Sequence, residues 1–205
     1  PYSTEMKLAH QTMEDKLRRY LKNGITTVVD VGSSYSYLKQ RTTYTDASYA
    51  PSIYITGPLL TTYEPKEYKN MGDEAPFSLV KTVEDGIKMV QAQLPYKPDF
   101  IKIWYIAGAD GLDKEASAQK NLPVIKAIIE EAHKNKLKVA VHATERITAQ
   151  LAVENGADFL VHSVEDEIIK DDFVQLLKKN KTVLCPTLQV MDGYDNTLGQ
   201  KFDIS

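Results

Sequence analysis

The sequence predicts an α/β fold built on a parallel sheet, and two observations support this. From about residue 81 onward, stretches with helical periodicity alternate with short runs rich in β-branched residues, which is typical of successive βα units. The segments that join helices to the following strands are short, whereas those that leave the strands are longer. In a parallel sheet, open or closed into a barrel, the longer loops form the working surface at the carboxyl ends of the strands.

Apolar periodicity predicts five helices. The clearest runs from about Pro123 to Lys134, where apolar residues recur every three or four positions and Pro123 suits the first turn. The others lie near 5–22, 82–93, 146–154 and 171–179. Four helices end on an asparagine followed by Gly or Lys, and Asn and Gly tolerate the left-handed backbone of a helix C-cap. These pairs are Asn23-Gly24, Asn135-Lys136, Asn155-Gly156 and Asn180-Lys181.

Six strands are predicted between these helices, at about 25–31, 52–56, 99–104, 137–142, 158–162 and 182–185. The two longest loops leave the first and second strands and cover residues 32–52 and 57–82. They are rich in Gly, Pro, Thr and Tyr. No linker or low-complexity segment divides the chain, so we expect one domain over residues 1–205.

Composition excludes several classes of protein. The 205 residues carry 25 Lys and Arg against 28 Asp and Glu, a net charge of -3, so we expect neither nucleic acid nor an anionic membrane as a partner. No apolar run approaches the roughly 18 residues of a membrane span. The single cysteine, Cys185, rules out an intramolecular disulfide and a cysteine-built zinc cluster. The chain starts at Pro1 without an initiator Met, so we expect it to lie within a larger protein, whose compartment the sequence does not indicate.

Lys102 interrupts an otherwise apolar predicted strand, Asp99 to Trp104. Both faces of a strand in a parallel sheet are normally buried, and a buried ammonium group is costly. Such a lysine needs a carboxylate partner, a lowered pKa suited to Schiff-base chemistry, or a covalent modification that removes its positive charge. The alternative is a lysine at the end of the strand that extends to water or pairs with an acid.

Two histidines each end a predicted strand, His142 in the run 138–143 and His162 in the run 158–163. At matching positions of neighbouring strands their rings would lie at the same rim, close enough to bind one cation. His10 and His133 lie in predicted helices among polar residues, and we expect them to be solvated. A carboxylated lysine is an anionic bridge between divalent ions, which would connect Lys102 with the two histidines.

The chain resembles the amidohydrolase superfamily, in particular its imidazolonepropionase-like and prolidase-like branch. The likeness covers about residues 5–190, and its most specific part is the ordered set of Lys, His and His on three successive strands. The matching segments are GITTVVDVG (24–32), DFIKIW (99–104), VAVHA (139–143), NGADFLVHSV (155–164) and PTL (186–188).

This resemblance implies a distorted (β/α)8 barrel with metal at its C-terminal mouth. Lys102 would be the carboxylated, metal-bridging lysine, and His142 and His162 would be ligands from the next two strands, so all three are the predicted catalytic and metal-binding residues. The expected cofactor is a divalent metal, Zn²⁺, as one or two ions. The implied activity is hydrolysis of a C–N bond in a small amide, dipeptide-like or cyclic amidine substrate by metal-activated water.

The chain also departs from the family pattern. It contains no His-x-His pair, which the family carries on its first strand, and it ends before the position of the eighth-strand aspartate. Val29 stands where the family often has arginine. We therefore expect the chain to hold strands 2 to 7 of an incomplete barrel, without the flanking β-sandwich. We expect this fragment to be inactive by itself, and the metal can be absent from it. We also expect self-association through its open sheet edges.

Two other functions remain open from the residues alone. One is a Schiff-base lyase on a TIM barrel, in which Lys102 is the nucleophilic amine and no metal is needed. The other is a non-catalytic binding barrel in which Lys102, His142 and His162 are only hydrogen-bonded. The tyrosines of the long loops suit either a binding surface or a substrate pocket. They include Tyr35, Tyr37, Tyr44, Tyr49, Tyr54 and Tyr63.

Overall fold

The computed structural model describes residues 12–188, and it consists of parallel strands flanked by helices. The chain order is α1 (Met13–Lys22), β1 (Thr27–Asp30), α2 (Tyr35–Tyr44), β2 (Ser52–Ile55), β3 (Leu59–Thr61), β4 (Phe77–Leu79), α3 (Val83–Gln93), β5 (Phe100–Trp104), α4 (Lys114–Lys134), β6 (Lys138–His142), α5 (Arg146–Glu154), β7 (Phe159–Val161), α6 (Asp171–Asn180) and β8 (Val183–Cys185). Three short 3₁₀ turns lie at Lys66–Tyr68, Gly72–Glu74 and Leu94–Tyr96. None of the helices described is long and apolar enough to span a membrane.

All strand pairs are parallel, as predicted. The larger sheet has the order β4-β3-β5-β6-β7-β8, and β1 pairs with β2 in a second, two-stranded sheet. The two sheets are adjacent, because the Asp99 backbone N–H, just before β5, donates to the Ile55 carbonyl at the end of β2 at 2.9 Å. We refer to these two adjacent sheets together as the wall. Along the chain, α3, α4, α5 and α6 alternate with the strands from β4 to β8.

The apolar core lies between the strands and the outer helices. Ile101 and Ile103 of β5 are fully buried in this layer together with Ile125 and Ile128 of α4. The alternate residues of β5 lie on the other face, where Phe100 packs with Ala140 and Val161 in a separate small cluster. The apolar core therefore lies on the face of the wall that packs against the helices. The opposite face, called the inner face, carries the small cluster around Phe100.

The repeated helix endings predicted from the sequence are confirmed. In all four, the Asn side chain donates to the carbonyl four residues earlier, over 2.7–3.0 Å. The next residue adopts the left-handed backbone, and it is Gly24, Lys136, Gly156 or Lys181. This cap turns each helix directly into the next strand.

Three expectations about the elements were wrong. The helix expected from Pro123 begins at Lys114, and Pro123 lies inside it. A proline mid-helix loses one backbone hydrogen bond, and here the buried apolar face of α4 offsets that loss. The loop expected at 32–52 contains α2, and the loop expected at 57–82 contains β3 and β4. The residues before Thr12 in the helix expected at 5–22, and His10 with them, lie outside the described residues.

A tight corner joins β2 to β3. The Gly57 backbone N–H donates to the Gln93 side-chain oxygen at 3.2 Å, and the Gln93 amide donates to the Pro58 carbonyl at 3.2 Å. Gln93 is fully buried. A Cβ on Gly57 would lie 2.6 Å from that oxygen, so the corner has no space for a side chain. This contact lets one segment pair with β1 before the corner and with β5 after it.

We expect Gly57→Ala to lower the free energy of unfolding by about 1–3 kcal/mol, because the new methyl group must displace the Gln93 amide. Gln93→Ala should cost a similar amount through its two lost hydrogen bonds. The double variant should cost clearly less than the sum, since the clash is gone once Gln93 is truncated. Urea denaturation of the four proteins measures this, and additive costs would show that the two residues do not compete for space.

The outer strands of the wall expose apolar side chains. Val29 of β1 is 57% exposed and Val183 of β8 is 53% exposed. Among the residues described, each of these strands pairs on one side only. Unpaired strand edges invite pairing with another chain.

We therefore expect the 205-residue chain to self-associate in sedimentation velocity. Val29→Lys and Val183→Lys should shift the distribution towards monomer, since edge charges oppose strand pairing. Lys88, which is exposed on α3, offers a control position, where Lys88→Ala should leave the distribution unchanged. A monodisperse monomer of the unaltered chain would contradict the expectation.

Candidate functional site

The inner face of the wall borders an open cavity of about 1240 Å³. Lys102, His142 and His162 all line it, and they come from three neighbouring strands or strand ends. The structure therefore brings together the three residues that the sequence singled out. The rest of the lining comes from α1, β1, α2, β2, β3 and the residues around β4. It combines apolar side chains with the charged Lys16, Arg19, Asp30 and Arg41.

Lys102 lies in the middle of β5, opposite Ala140 of β6. Its side chain is only 2% exposed, so the interpretation in which it extends to water is wrong. Its Nζ donates to the Ile103 carbonyl at 3.3 Å, and among residues 12–188 it forms no ion pair with a carboxylate. Burial lowers the pKa of Lys102 from 10.5 to about 7. The amine is therefore partly uncharged near neutral pH, which is required of a nucleophile.

His142 is the last residue of β6, where it pairs with Trp104 of β5 on one side and Val161 of β7 on the other. Its ring stands edge-on to Trp104, with the ring centroids 5.9 Å apart. Burial, the nearby Lys102 charge and His162 lower the pKa of His142 from 6.5 to about 3. The ring is thus a neutral imidazole at physiological pH, which is the form that binds metal.

His162 reaches the cavity by a different route from the one expected. The strand predicted to include it ends at Val161, and Val161 rather than His162 is the partner of His142. Regular strand alternation would direct the side chain of His162 to the opposite face from that of Val161. Instead His162 has a φ of +80°, and its ring lies 4.6 Å from the His142 ring, centroid to centroid. The left-handed backbone therefore brings the two imidazoles together.

The last residue of β8 and the segment that follows it each contact His162 once. The His162 backbone N–H donates to the Cys185 carbonyl at 3.0 Å, and its ring Nδ1 lies 3.0 Å from the Thr187 Oγ1. Burial, followed by the Lys102 charge, lowers the pKa of His162. Sequence reasoning included Thr187 only as part of the matching segment PTL and missed its contact with the ring. A hydroxyl residue two positions past the neighbouring strand was the available signal.

An aromatic cluster borders the two histidines. Trp104 packs against Phe77 with ring centroids 4.7 Å apart, and Tyr63 lies 6.2 Å from Trp104. Both Trp104 and Phe77 line the cavity. Phe77 was missed because β4 lies in a segment expected to be a loop.

Of the tyrosines noted in the sequence, Tyr37 and Tyr44 line the cavity. His133 is instead on the outer surface, where its Nε2 lies 2.9 Å from an Asp158 carboxylate oxygen.

Lys102, His142 and His162 together meet only part of what a zinc-type divalent ion needs from its ligands. Two neutral imidazoles side by side are typical zinc ligands, and Lys102 would add an anionic oxygen ligand only after carboxylation. Over residues 12–188, no group of three or more His, Cys, Asp and Glu side chains is placed to hold a metal ion. Beside the buried lysine, the described chain therefore offers a pair of neighbouring imidazoles and no third side chain of these types.

Comparison with known proteins gives a likeness in structure only. No protein-family model matches the sequence, and no curated protein matches it significantly. A solved amidohydrolase is 23% identical over 92% of this chain and 48% of its own, with a TM-score of 0.69. A prolidase in complex with N-methylphosphonate-L-proline is 23% identical over 88% of this chain and 46% of its own, with the same TM-score. The ochratoxinase of A. niger is 18% identical over 91% of this chain and 47% of its own, with a TM-score of 0.68.

This chain spans about half the length of these solved structures. The match to the solved amidohydrolase covers 92% of this chain. The incomplete barrel expected from the sequence is confirmed at this level. The chain has the fold of the amidohydrolase superfamily.

Proposed function

We propose that residues 1–205 form part of the catalytic barrel of a metal-dependent hydrolase that cleaves C–N bonds. The observation that carries this proposal is the convergence of Lys102, His142 and His162 on one cavity of an amidohydrolase-type wall. A buried lysine beside two neutral imidazoles is an unusual set for a purely structural role, since each group is costly to bury.

His142 and His162 are the residues we assign to metal binding, and Zn²⁺ is the ion we expect. When bound, such an ion lowers the pKa of water and polarises a carbonyl group, which is the chemistry that hydrolysis of an amide needs. The two rings are held without charge, so no proton has to leave them before they bind a cation. With few ligands on the described chain, we expect weak metal affinity and no turnover for these 205 residues alone.

Lys102 is suited to carboxylation. Its uncharged amine would form a bond to the carbon of CO₂ and release one proton, which leaves an anionic carbamate in place of a cation. That change converts a buried amine with no carboxylate partner among residues 12–188 into a carboxylate-like ligand next to two imidazoles. The positive charge that would repel a metal ion is removed in the same step.

The part of the cavity beside His142 favours a small substrate with an apolar group. Trp104 and Phe77 present apolar surface there, which suits an apolar or cyclic group beside the scissile bond. A solved prolidase binds N-methylphosphonate-L-proline, and a solved Xaa-Pro dipeptidase binds methionine in its active site. These small ligands support an amide or dipeptide-like substrate for this cavity.

A Schiff-base lyase is the second candidate, and one observation favours it. Lys102 combines a pKa of about 7 with the absence of a carboxylate partner among residues 12–188. An uncharged lysine in an apolar pocket is the nucleophile that imine formation needs. The two candidates differ in what becomes bonded to Nζ.

Trp104 is the only tryptophan of the chain, so its fluorescence reports on this cavity. We expect Co²⁺ to quench it, because the Trp104 ring lies 5.9 Å from that of His142. His142→Asn and His162→Asn should each weaken the apparent Co²⁺ affinity more than about tenfold, since each removes a ligand.

His133→Asn is the matched control, because His133 lies on the outer helix beside Asp158. Co²⁺ should quench the Trp104 fluorescence of this variant as it does in the unaltered chain. Equal quenching in all three histidine variants would place the metal elsewhere and contradict the assignment of His142 and His162.

Lys102 should carry a carbamate when the chain is incubated with ¹³C-bicarbonate and Zn²⁺. We expect one carbamate carbon signal by NMR that is lost in Lys102→Met, which keeps the volume of the side chain. Lys138→Met, at an exposed position of β6, should retain it.

A trapping experiment on the unaltered chain distinguishes the hydrolase from the lyase. Treatment with pyruvate and borohydride should leave Lys102 unmodified in mass spectrometry. A reduced adduct at Lys102, together with no carbamate signal, would reject the hydrolase and support the lyase.

A further inference from the structure

We propose that Thr187 is a positioning residue that holds the His162 ring with its proton on Nδ1 and its Nε2 free to bind a cation. The proposal rests on the proposed function for the tautomer of the ring and for what the free nitrogen does, but not for the contact that holds the ring. It concerns one hydrogen bond, between the Thr187 hydroxyl and His162 Nδ1.

The geometry leaves only one ring nitrogen of His162, Nε2, available to a ligand in the cavity. Nδ1 is 3.0 Å from the Thr187 Oγ1, which is hydrogen-bond distance. The ring also faces His142, 4.6 Å away, and lines the cavity. Since Nδ1 is engaged by the segment after β8, Nε2 is the atom that can share a ligand with His142.

The direction of the hydrogen bond follows from this arrangement. A neutral imidazole carries one proton, and a nitrogen that binds a cation cannot carry it. If the hydroxyl donated to Nδ1, the proton would lie on Nε2 and the ring could not bind through the cavity. If the hydroxyl accepts from Nδ1–H, Nε2 keeps its lone pair. Metal-binding histidines commonly donate their second ring N–H to an oxygen in this way.

The backbone of His162 shows why such a contact is needed. A φ of +80° is unfavourable for histidine, and it persists only where the surroundings fix it. Two bonds from one short segment do so, the Cys185 carbonyl to the backbone N–H and the Thr187 hydroxyl to the ring. A glycine would relieve the backbone strain at position 162 but would supply no ring. The last residue of β8 therefore holds the backbone turn of His162, and Thr187 just after β8 orients the His162 side chain.

Long-range ¹H–¹⁵N NMR of the histidine rings tests the proposal on the 205-residue chain at mildly alkaline pH. The chain has four histidines, and His162→Asn assigns the signals of this one. We expect Nδ1 to be protonated in the unaltered chain. Thr187→Val, which keeps the shape but removes the hydroxyl, should shift the ring towards the Nε2–H form, and Thr187→Ser should restore the original tautomer.

A second measurement tests the consequence for the cation. The Co²⁺ affinity read from Trp104 fluorescence should fall about tenfold to a hundredfold in Thr187→Val and recover in Thr187→Ser. The His142 signals serve as an internal control, and they should not change tautomer in either variant.

Each outcome decides one of the two ideas. Protonated Nε2 in the unaltered chain, or an unchanged tautomer in Thr187→Val, overturns the role of Thr187. An unchanged Co²⁺ affinity in Thr187→Val overturns it as well, whereas the proposed metal site then stands. If the tautomer shifts as expected but no Co²⁺ binds to the unaltered chain, the metal site fails and the positioning role is retained.

Discussion

The enclosed Lys102 amine is the constraint on which the site depends. Burial with no carboxylate partner in the described chain moves its pKa from 10.5 to about 7, so the charged form is destabilised by roughly 5 kcal/mol relative to its state in water. A strand that only had to complete a core would place an apolar residue there, since such a residue would avoid this cost. Both proposed roles of Lys102, as a carboxylated ligand and as a nucleophile, use the uncharged amine that this burial favours.

The same burial affects the neighbouring histidines. The Lys102 charge and the apolar surroundings both oppose protonation of His142 and His162. All three groups therefore tend towards their uncharged forms in one cavity. Nitrogen groups held largely without charge repel a positive ion less, which is why this cavity suits the proposed metal site.

The supporting structure is arranged to hold this cavity from outside. The helices bury their apolar faces on one side of the wall, and the asparagine caps return the chain to the next strand within a few residues. The corner at Gly57 and Gln93 brings β3 next to β5, and β4 and Phe77 follow from there. Regular packing on the outer face leaves the inner face free to carry strained and polar groups.

Local sequence was sufficient for the parallel α/β class, the six predicted strands, most helices and the choice of Lys102, His142 and His162. These follow from periodicity, from turn-forming residues and from the rarity of lysine in a buried strand. Tertiary structure decided what depends on contacts between distant segments. It extended α4 through Pro123, formed β3 and β4 within an expected loop, and placed the ring of His162 by a left-handed turn. The Thr187 contact spans 25 residues, and no local pattern encodes a hydrogen bond whose partners meet only when β7 and β8 pair.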